Sequence, residues 1–314
     1  MNPKKHVVSK FPLHLDIELN TDCNLACEFC PNHSKNARYP PKERIHMQWD
    51  LWKRIIDEGV EKGLCAIKLC FRGEPLLYKF LPEAVFYAKN QGIMEVILDS
   101  NGLLLERAVL IELMLGGLDQ FILSDYGFEL QVKKAKLIQS NKKLLHFDNP
   151  RLIVKTTTPE KWEGIADEVR KPILHDYNSG EECFEDSDFE CEQLYQRLVV
   201  LANGDVKVCC SSVMFEDGII GNIAEDSIEE LWNGEYMKYI RFMHQNHRAN
   251  MIKSCRYCPG LIEFVQDRCK RDFIDKNLLF PCNGFTTSVF WDKLTAKDMK
   301  EKYEDEDEDE RCQK

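Results

Sequence analysis

The 314-residue chain has no uninterrupted apolar run near the roughly 20 residues that a bilayer crossing requires. Basic residues at positions 1–10 are not followed by an apolar stretch, so no export signal is expected. Positive charge is also in deficit: the net charge is −11, and the run 304–310 carries seven of those negative charges. The rest is a mildly acidic body with no electrostatic footprint for duplex nucleic acid or an anionic membrane. No internal repeat period is evident. These absences lead us to expect a cytoplasmic protein with an acidic, disordered tail at 300–314.

Cysteine, by contrast, is abundant, with 14 residues. Without an export signal these do not read as a disulfide framework. A reducing compartment leaves thiolates free to hold metal, and their spacing becomes the informative quantity. Hydrophobic residues at 44% and charged residues at 30% are ordinary for a soluble protein. The length suffices for one large α/β domain and a small second one.

Residues 15–19 alternate apolar and acidic, which suits a strand, and a loop follows from Cys23 to Lys35. Helical spacing covers 49–62 and stops near Gly63. The alternation then continues: strands at 66–71, 94–98, 120–123 and 151–156, and helices at 79–91, 104–115 and 129–140. Strands alternating with helices of this length imply parallel βαβ units. Chemistry in such folds sits on the loops after the strands. There the sequence places the cysteine loop, Arg72-Gly73-Glu74-Pro75, Ser100-Asn101-Gly102 and the Ser124-Asp125 pair. Beyond about Lys171 the pattern changes. A hairpin is expected from 198–202 and 206–210 across Asn203-Gly204, and a helix from Ser227 with Glu230 completing a capping box.

Cys23, Cys27 and Cys30 form a C-x3-C-x2-C loop directly after a strand. Three thiolates can hold three irons of a four-iron cube and leave the fourth open. A structural zinc site wants four ligands, and His33 is the residue that could supply the fourth. On this spacing and on Arg72-Gly73-Glu74-Pro75 after the next strand, the sequence resembles the radical S-adenosylmethionine (SAM) superfamily. The resemblance implies an α/β fold, a partial (β/α)6 barrel, and a SAM-binding [4Fe–4S] cluster on Cys23, Cys27 and Cys30. It implies cofactor contacts from Phe29, Gly73, Glu74, Pro75, Ser100, Asn101, Ser124 and Asp125. Phe29 would lie against the adenine, and Ser124 and Asp125 near ribose or carboxylate. Arg72 stands where the family has a glycine, which leaves Glu74 as the expected partner of the ligand's ammonium group.

Cys191, then Gly204 and Cys209, then Cys255 and Cys258 as a C-x2-C pair, form a second constellation. Spacing alone admits tetrahedral zinc or an iron–sulfur cube, and the first constellation tips the choice toward the cube. This element resembles the auxiliary-cluster domains called SPASM and twitch. Phe264 stands where a full SPASM pattern would have its next cysteine, so the shorter twitch version with one auxiliary [4Fe–4S] cluster is implied. The domains expected are a core barrel at 1–182, a twitch/SPASM-like domain at 183–262, a C-terminal extension at 263–299 and the tail.

Cys65 and Cys70 flank a strand and read as small buried hydrophobes. Cys183, Cys269 and Cys282 show no ligand spacing among themselves, although they could complete an unorthodox second site. Cys312 lies in the tail. His33, His46 and His175 are loop candidates for a proton acceptor, and Lys155 and Arg151 could face the barrel interior. No residue is singled out as the catalytic acid or base.

Four-cysteine ligation leaves no open iron for substrate, so the auxiliary cluster is expected to take the second electron of an oxidation. Within the superfamily the layout is similar to enzymes of the 2-deoxy-scyllo-inosamine dehydrogenase type, which implies an oxidoreductase acting on a sugar or cyclitol alcohol. Peptide maturation and a catalytically idle iron–sulfur protein are the alternatives. A flavodoxin or ferredoxin is the expected electron donor.

Overall fold

A strand that alternates polar and apolar residues can bury one row against helices and turn the other toward a lumen. In a computed structural model of the chain, the first five strands do this. The structure describes residues 8–37, 40–170, 191–210, 218–256 and Cys258. β1 (His14–Ile17), β2 (Ala66–Leu69), β3 (Glu95–Ser100), β4 (Gln120–Ser124), β5 (Arg151–Lys155) and β6 (Glu168–Arg170) pair in parallel, each with the next. The connections carry α1 (Trp49–Lys62), α2 (Leu81–Gln91), α3 (Arg107–Leu115) and α4 (Glu129–Leu145).

One row of strand side chains, including Leu15, Ile67, Leu98, Phe121 and Val154, forms a continuous apolar cluster with the buried faces of these four helices. All four helices thus cover the same side of the sheet, the arrangement of a βα barrel rather than a doubly wound sheet. The opposite row is stratified. Glu95 accepts from Gln120 at 2.6 Å at the base, and Ile97, Ile122 and Ile153 form a separate apolar floor above that pair. Asp99, Ser124 and Lys155 stand one step higher on the same three strands. The lumen is therefore dry at mid-height and charged toward the carboxyl ends.

Strand β7 (Arg197–Val200) pairs in parallel with β1 on its free side, and β8 (Asp205–Lys207) and β9 (Ile219–Asn222) extend the sheet antiparallel. The strand order is β6-β5-β4-β3-β2-β1-β7-β8-β9. The expected hairpin is present, with Gly204 at φ +89 where a side chain is disfavoured. It is part of the main sheet, so the cysteine-rich portion grows directly out of β1. Helices α5 (Ile228–Trp232), α6 (Glu235–Gln245) and α7 (Lys253–Arg256) follow. Ser227 and Glu230 close the capping box anticipated for α5. The proposed boundary near 180–190, the extension, the tail, His175 and Cys183, Cys269, Cys282 and Cys312 lie outside the described residues.

Boundaries differ from expectation where local signals were weak. Helix α3 begins at Arg107, after a turn, and α4 continues five residues beyond Ser140 before His146 closes it in the left-handed region. The three residues of β6 had no readable pattern. Gly63 ends α1 as expected, at φ +85.

Phe121 is fully buried between sheet and helices, whereas Phe86 on α2 is 58% exposed. Phe121→Ala is expected to lower unfolding free energy by about 3–5 kcal/mol. Phe86→Ala is expected to change it by less than about 0.5 kcal/mol, both measured by chemical denaturation.

Candidate cofactor site

The cysteine loop is anchored at its base. Thr21 N–H donates to the Ile45 carbonyl at 3.0 Å, His46 contacts Asp22 at 2.9 Å, and the Asp22 carbonyl accepts from Glu74 N–H at 2.6 Å. Within the loop Cys30 N–H bonds to the Cys27 carbonyl, while Leu25 N–H points at Cys23 Sγ (3.5 Å) and His33 N–H at Cys30 Sγ (3.3 Å). Cys23, Cys27 and Cys30 are all partly exposed. Burial, with Glu74 and the other two cysteines adding to it, pushes the Cys23 thiol up to about 11. Burial and Cys30 push Cys27 up as well. Three neighbouring cysteines, with backbone N–H groups at the sulfurs of Cys23 and Cys30, suit a cluster that would bind them as thiolates. The surroundings carry further unmet capacity: Asn20 Oδ1, Asn32 Oδ1, His33 Nε2 and Ser34 Oγ are buried with no hydrogen-bond partner among the described residues.

The turn after β2 is strained and tightly packed. Phe71 sits at φ +134, and a Cβ on Gly73 would come within 2.2 Å of the Asn20 carbonyl oxygen. Arg72 forms a two-pronged ion pair with Glu18 at 2.6 and 2.7 Å, and the same carboxylate accepts from Ala202 N–H at 3.1 Å. The residue that departs from the family pattern thus ties the turn to the β7–β8 hairpin.

Two acidic residues expected at the ligand already hold loops together. Glu74 was expected to face a ligand ammonium. In the structure it is 3% exposed and accepts from Leu76 N–H (3.0 Å), Ser100 Oγ (2.6 Å) and Asn101 N–H (2.9 Å). Burial raises its pKa against these donors. Asp125 was expected near ribose or carboxylate. It accepts from Gly127 N–H, Thr156 Oγ1 and Trp162 Nε1, each at 2.8 Å. Burial opposes ionisation there, but these bonds and Lys161 hold the carboxyl below its ordinary range. Both carboxylates position loops.

The other expected side chains interlock in the same way. Asn101 Nδ2 donates to Asn24 Oδ1 at 2.8 Å, joining the Ser100-Asn101-Gly102 turn to the cysteine loop. Ser124 Oγ donates to Asp99 Oδ1 at 3.2 Å. Phe29 is 40% exposed and stacks on Tyr126, with ring centroids 6.0 Å apart. Pro75 begins the short helical turn that Glu74 caps.

Three residues here had no signal in the sequence pattern. Tyr126 forms the other side of the aromatic pair. Gln131, fully buried on α4, donates to the Asn101 carbonyl (2.8 Å) and the Ser124 carbonyl (2.7 Å) and accepts from Tyr126 N–H (2.9 Å) and Phe128 N–H (3.3 Å). His244, fully buried on α6, lies at the second constellation. Cys191 N–H donates to its Nδ1 at 3.3 Å, and its Nε2 is 3.3 Å from Cys255 Sγ. Burial lowers the His244 pKa to about 4. Burial raises the Cys191 thiol well above its ordinary value, with Cys209, Cys258 and Cys255 adding to the effect.

The inner face supplies a third set of groups. Asp99 Oδ2 lies between Lys68 Nζ (2.9 Å) and Lys155 Nζ (2.7 Å), and Asp16 pairs with Arg197 at 3.0 Å. Lys155 faces inward as expected. Arg151 pairs with Glu168 at 2.7 Å, at the base of the lumen.

A parallel βα sheet with a cysteine loop after β1 and four further cysteines beside β7 and β8 is the architecture of an iron–sulfur enzyme. Two family models match the chain: the radical SAM superfamily over residues 17–129, and SPASM, an iron–sulfur cluster-binding domain, over residues 191–259. Over those spans the chain carries a radical SAM domain and a SPASM domain. Its cofactors are accordingly SAM, a [4Fe–4S] cluster and auxiliary iron–sulfur in the SPASM domain.

A probable GTP 3′,8-cyclase of Methanococcus maripaludis is 34% identical over 91 residues, 29% of each chain. The chain therefore spans under a third of that relative's length. The SAM-dependent 2-deoxy-scyllo-inosamine dehydrogenase of Niallia circulans is 24% identical over 257 residues, covering 77% of this chain and 91% of the dehydrogenase. The crystal structure of BtrN with AdoMet and 2-DOIA superposes with a TM-score of 0.60 at 20% identity, over 78% of this chain and 92% of BtrN.

Two substitutions test the interlocks. Arg72→Gly, although it restores the family's residue, leaves the 1%-exposed Glu18 side chain without its cation. It should cost about 3–5 kcal/mol in chemical denaturation. Gln131→Ala removes four hydrogen bonds and should cost about 2–4 kcal/mol. Gln131→Glu should do no better, because it sets carboxylate oxygen against two carbonyls.

Proposed function

We propose that this protein is a radical SAM oxidoreductase that oxidises an alcohol of a small polyhydroxylated molecule, a sugar or cyclitol. The observation that carries this reading is the polar ring above the isoleucine floor. Asp99 and Lys155 side chains are 15% and 16% exposed beside the partly buried Ser124 hydroxyl. A carboxylate acceptor, ammonium donors and a hydroxyl on one small face suit adjacent hydroxyl groups. An apolar side chain gains nothing from them, because binding it would desolvate paired charges. The similarity to the dehydrogenase over nearly its whole length supports the same class.

Cys23, Cys27 and Cys30 would hold the SAM-binding cluster, and Cys191, Cys209, Cys255 and Cys258 the auxiliary one. The bound cofactors supply a 5′-deoxyadenosyl radical able to abstract hydrogen and an acceptor for the second electron. This chain's residues do the rest. Gly73 admits the close backbone approach at the turn, Phe29 offers an aromatic face, and Pro75, Ser100, Asn101 and Ser124 shape the surrounding loops. In the lumen Asp99 accepts from a substrate hydroxyl and fixes its orientation. Burial and Lys68 lower the Lys155 pKa although Asp99 acts the other way. The Lys155 ammonium, held 2.7 Å from Asp99, would donate to a neighbouring substrate oxygen.

The test is anaerobic reconstitution followed by dithionite, SAM and panels of polyols, aminocyclitols and peptides. About eight irons per chain, 5′-deoxyadenosine, and a ketone from a polyol are the expected results. Asp99→Asn should keep SAM cleavage while product falls at least tenfold. Turnover of a peptide and of no polyol would sink this reading in favour of maturation, and absence of 5′-deoxyadenosine would leave an idle iron–sulfur protein.

A further inference from the structure

We propose that His244 positions and tunes the auxiliary cluster by donating its Nε2–H to the sulfur of Cys255. This rests on the reading of Cys255 as a cluster ligand. The tautomer follows from geometry. Cys191 N–H points at Nδ1 from 3.3 Å, so Nδ1 presents its lone pair. A neutral imidazole has one N–H, which must then lie on Nε2, 3.3 Å from Cys255 Sγ.

The ring has little freedom to choose otherwise. His244 is fully buried, and its helix is held against the turn after Cys191 by Arg241. Arg241 donates from Nε to the Leu194 carbonyl (2.9 Å) and from Nη1 to the Trp232 carbonyl (3.0 Å), with its guanidinium 4.2 Å from the Trp232 ring centroid. One imidazole thus spans the backbone of Cys191 and the sulfur of Cys255, fixing two cysteines far apart in sequence.

An N–H dipole aimed at a ligand sulfur favours the more electron-rich, reduced cluster. His244 therefore raises the potential at which the auxiliary cluster accepts an electron, whatever substrate supplies it. The structural contribution and the redox contribution are separable, since an apolar ring preserves packing and loses only the hydrogen bonds.

The experiment uses the full chain carrying Cys23→Ala, Cys27→Ala and Cys30→Ala, so that only the auxiliary cluster is loaded. In protein labelled with 15N-histidine, pulsed EPR of the reduced cluster should show one weakly coupled nitrogen and an exchangeable proton that disappears in D2O. Redox titration should give a more negative midpoint for His244→Phe, with His244→Gln, which retains a donor, lying between Phe and the wild type. A cluster that loads with four irons but shows no weak histidine coupling, or an unchanged midpoint in His244→Phe, would overturn the proposal. So would a strongly coupled nitrogen, which would make His244 a ligand. Failure to load any iron would count instead against the ligand assignment of Cys191, Cys209, Cys255 and Cys258.

Discussion

The buried carboxylate of Glu74 is the point from which the candidate site is built. It sits past the end of β2 and takes hydrogen bonds from Leu76, Ser100 and Asn101, while its backbone N–H reaches Asp22 and its carbonyl accepts from Asn20. The loops after β1, β2 and β3 therefore meet on one residue. Gln131 performs the same task one strand along, joining the loop after β3 to that after β4. Irregular backbone cannot satisfy its own polar groups as helices and ladders do, so buried side chains must. That requirement explains why residues expected to touch a ligand mostly touch one another. The loops are locked first, and a cofactor would meet a surface already fixed, which is the condition for accurate placement.

The lumen has a second constraint, the cost of burying charge. Lys68 is 3% exposed, and no isolated ammonium would remain charged there. Asp99 pairs with both it and Lys155, and those two cations hold the Asp99 carboxyl far below its usual range despite burial. Asp16 and Arg197 form a second balanced pair on β1 and β7. Such pairs add little to stability compared with apolar residues of similar size. Their value lies in presenting donors and acceptors at fixed places in a lumen otherwise floored with isoleucine.

The parallel alternation of strands and helices was legible because each element had its own period. The three-cysteine loop was legible because its ligands are local. Long-range partners left no trace in spacing. Glu18 and Arg72 are 54 positions apart, and nothing in either segment announces that they pair. Gln131 looked like one more polar residue at a helix start, and His244 like one more residue of an amphipathic helix. Glu74 was legible from its motif, but its three donors were not, because Ser100 and Asn101 lie on the next loop. Strand β7 was assigned to the correct hairpin, yet its pairing with β1 depends on a partner some 180 residues earlier.

That pairing determines where the two cysteine sites stand relative to the lumen. β7 runs parallel to β1, so the chain enters it at the amino end of the sheet, and Cys191 lies just before that entry. β8 runs back antiparallel, returning Cys209 to the same end. Cys23, Cys27 and Cys30 follow β1 at its carboxyl end. The strand length between those ends is about 13 Å, set by a rise of about 3.3 Å per residue. Cys210, next to Cys209, already feels Arg197, Asp16 and Lys68, so the charged inner face begins where the second cysteine site ends. A molecule held by Asp99 and Lys155 would stand above the isoleucine floor, at the carboxyl end where Cys23, Cys27 and Cys30 also lie. The Glu18 carboxylate, bound by Arg72 after β2 and by Ala202 N–H after β7, ties those two turns together at the carboxyl end of β1.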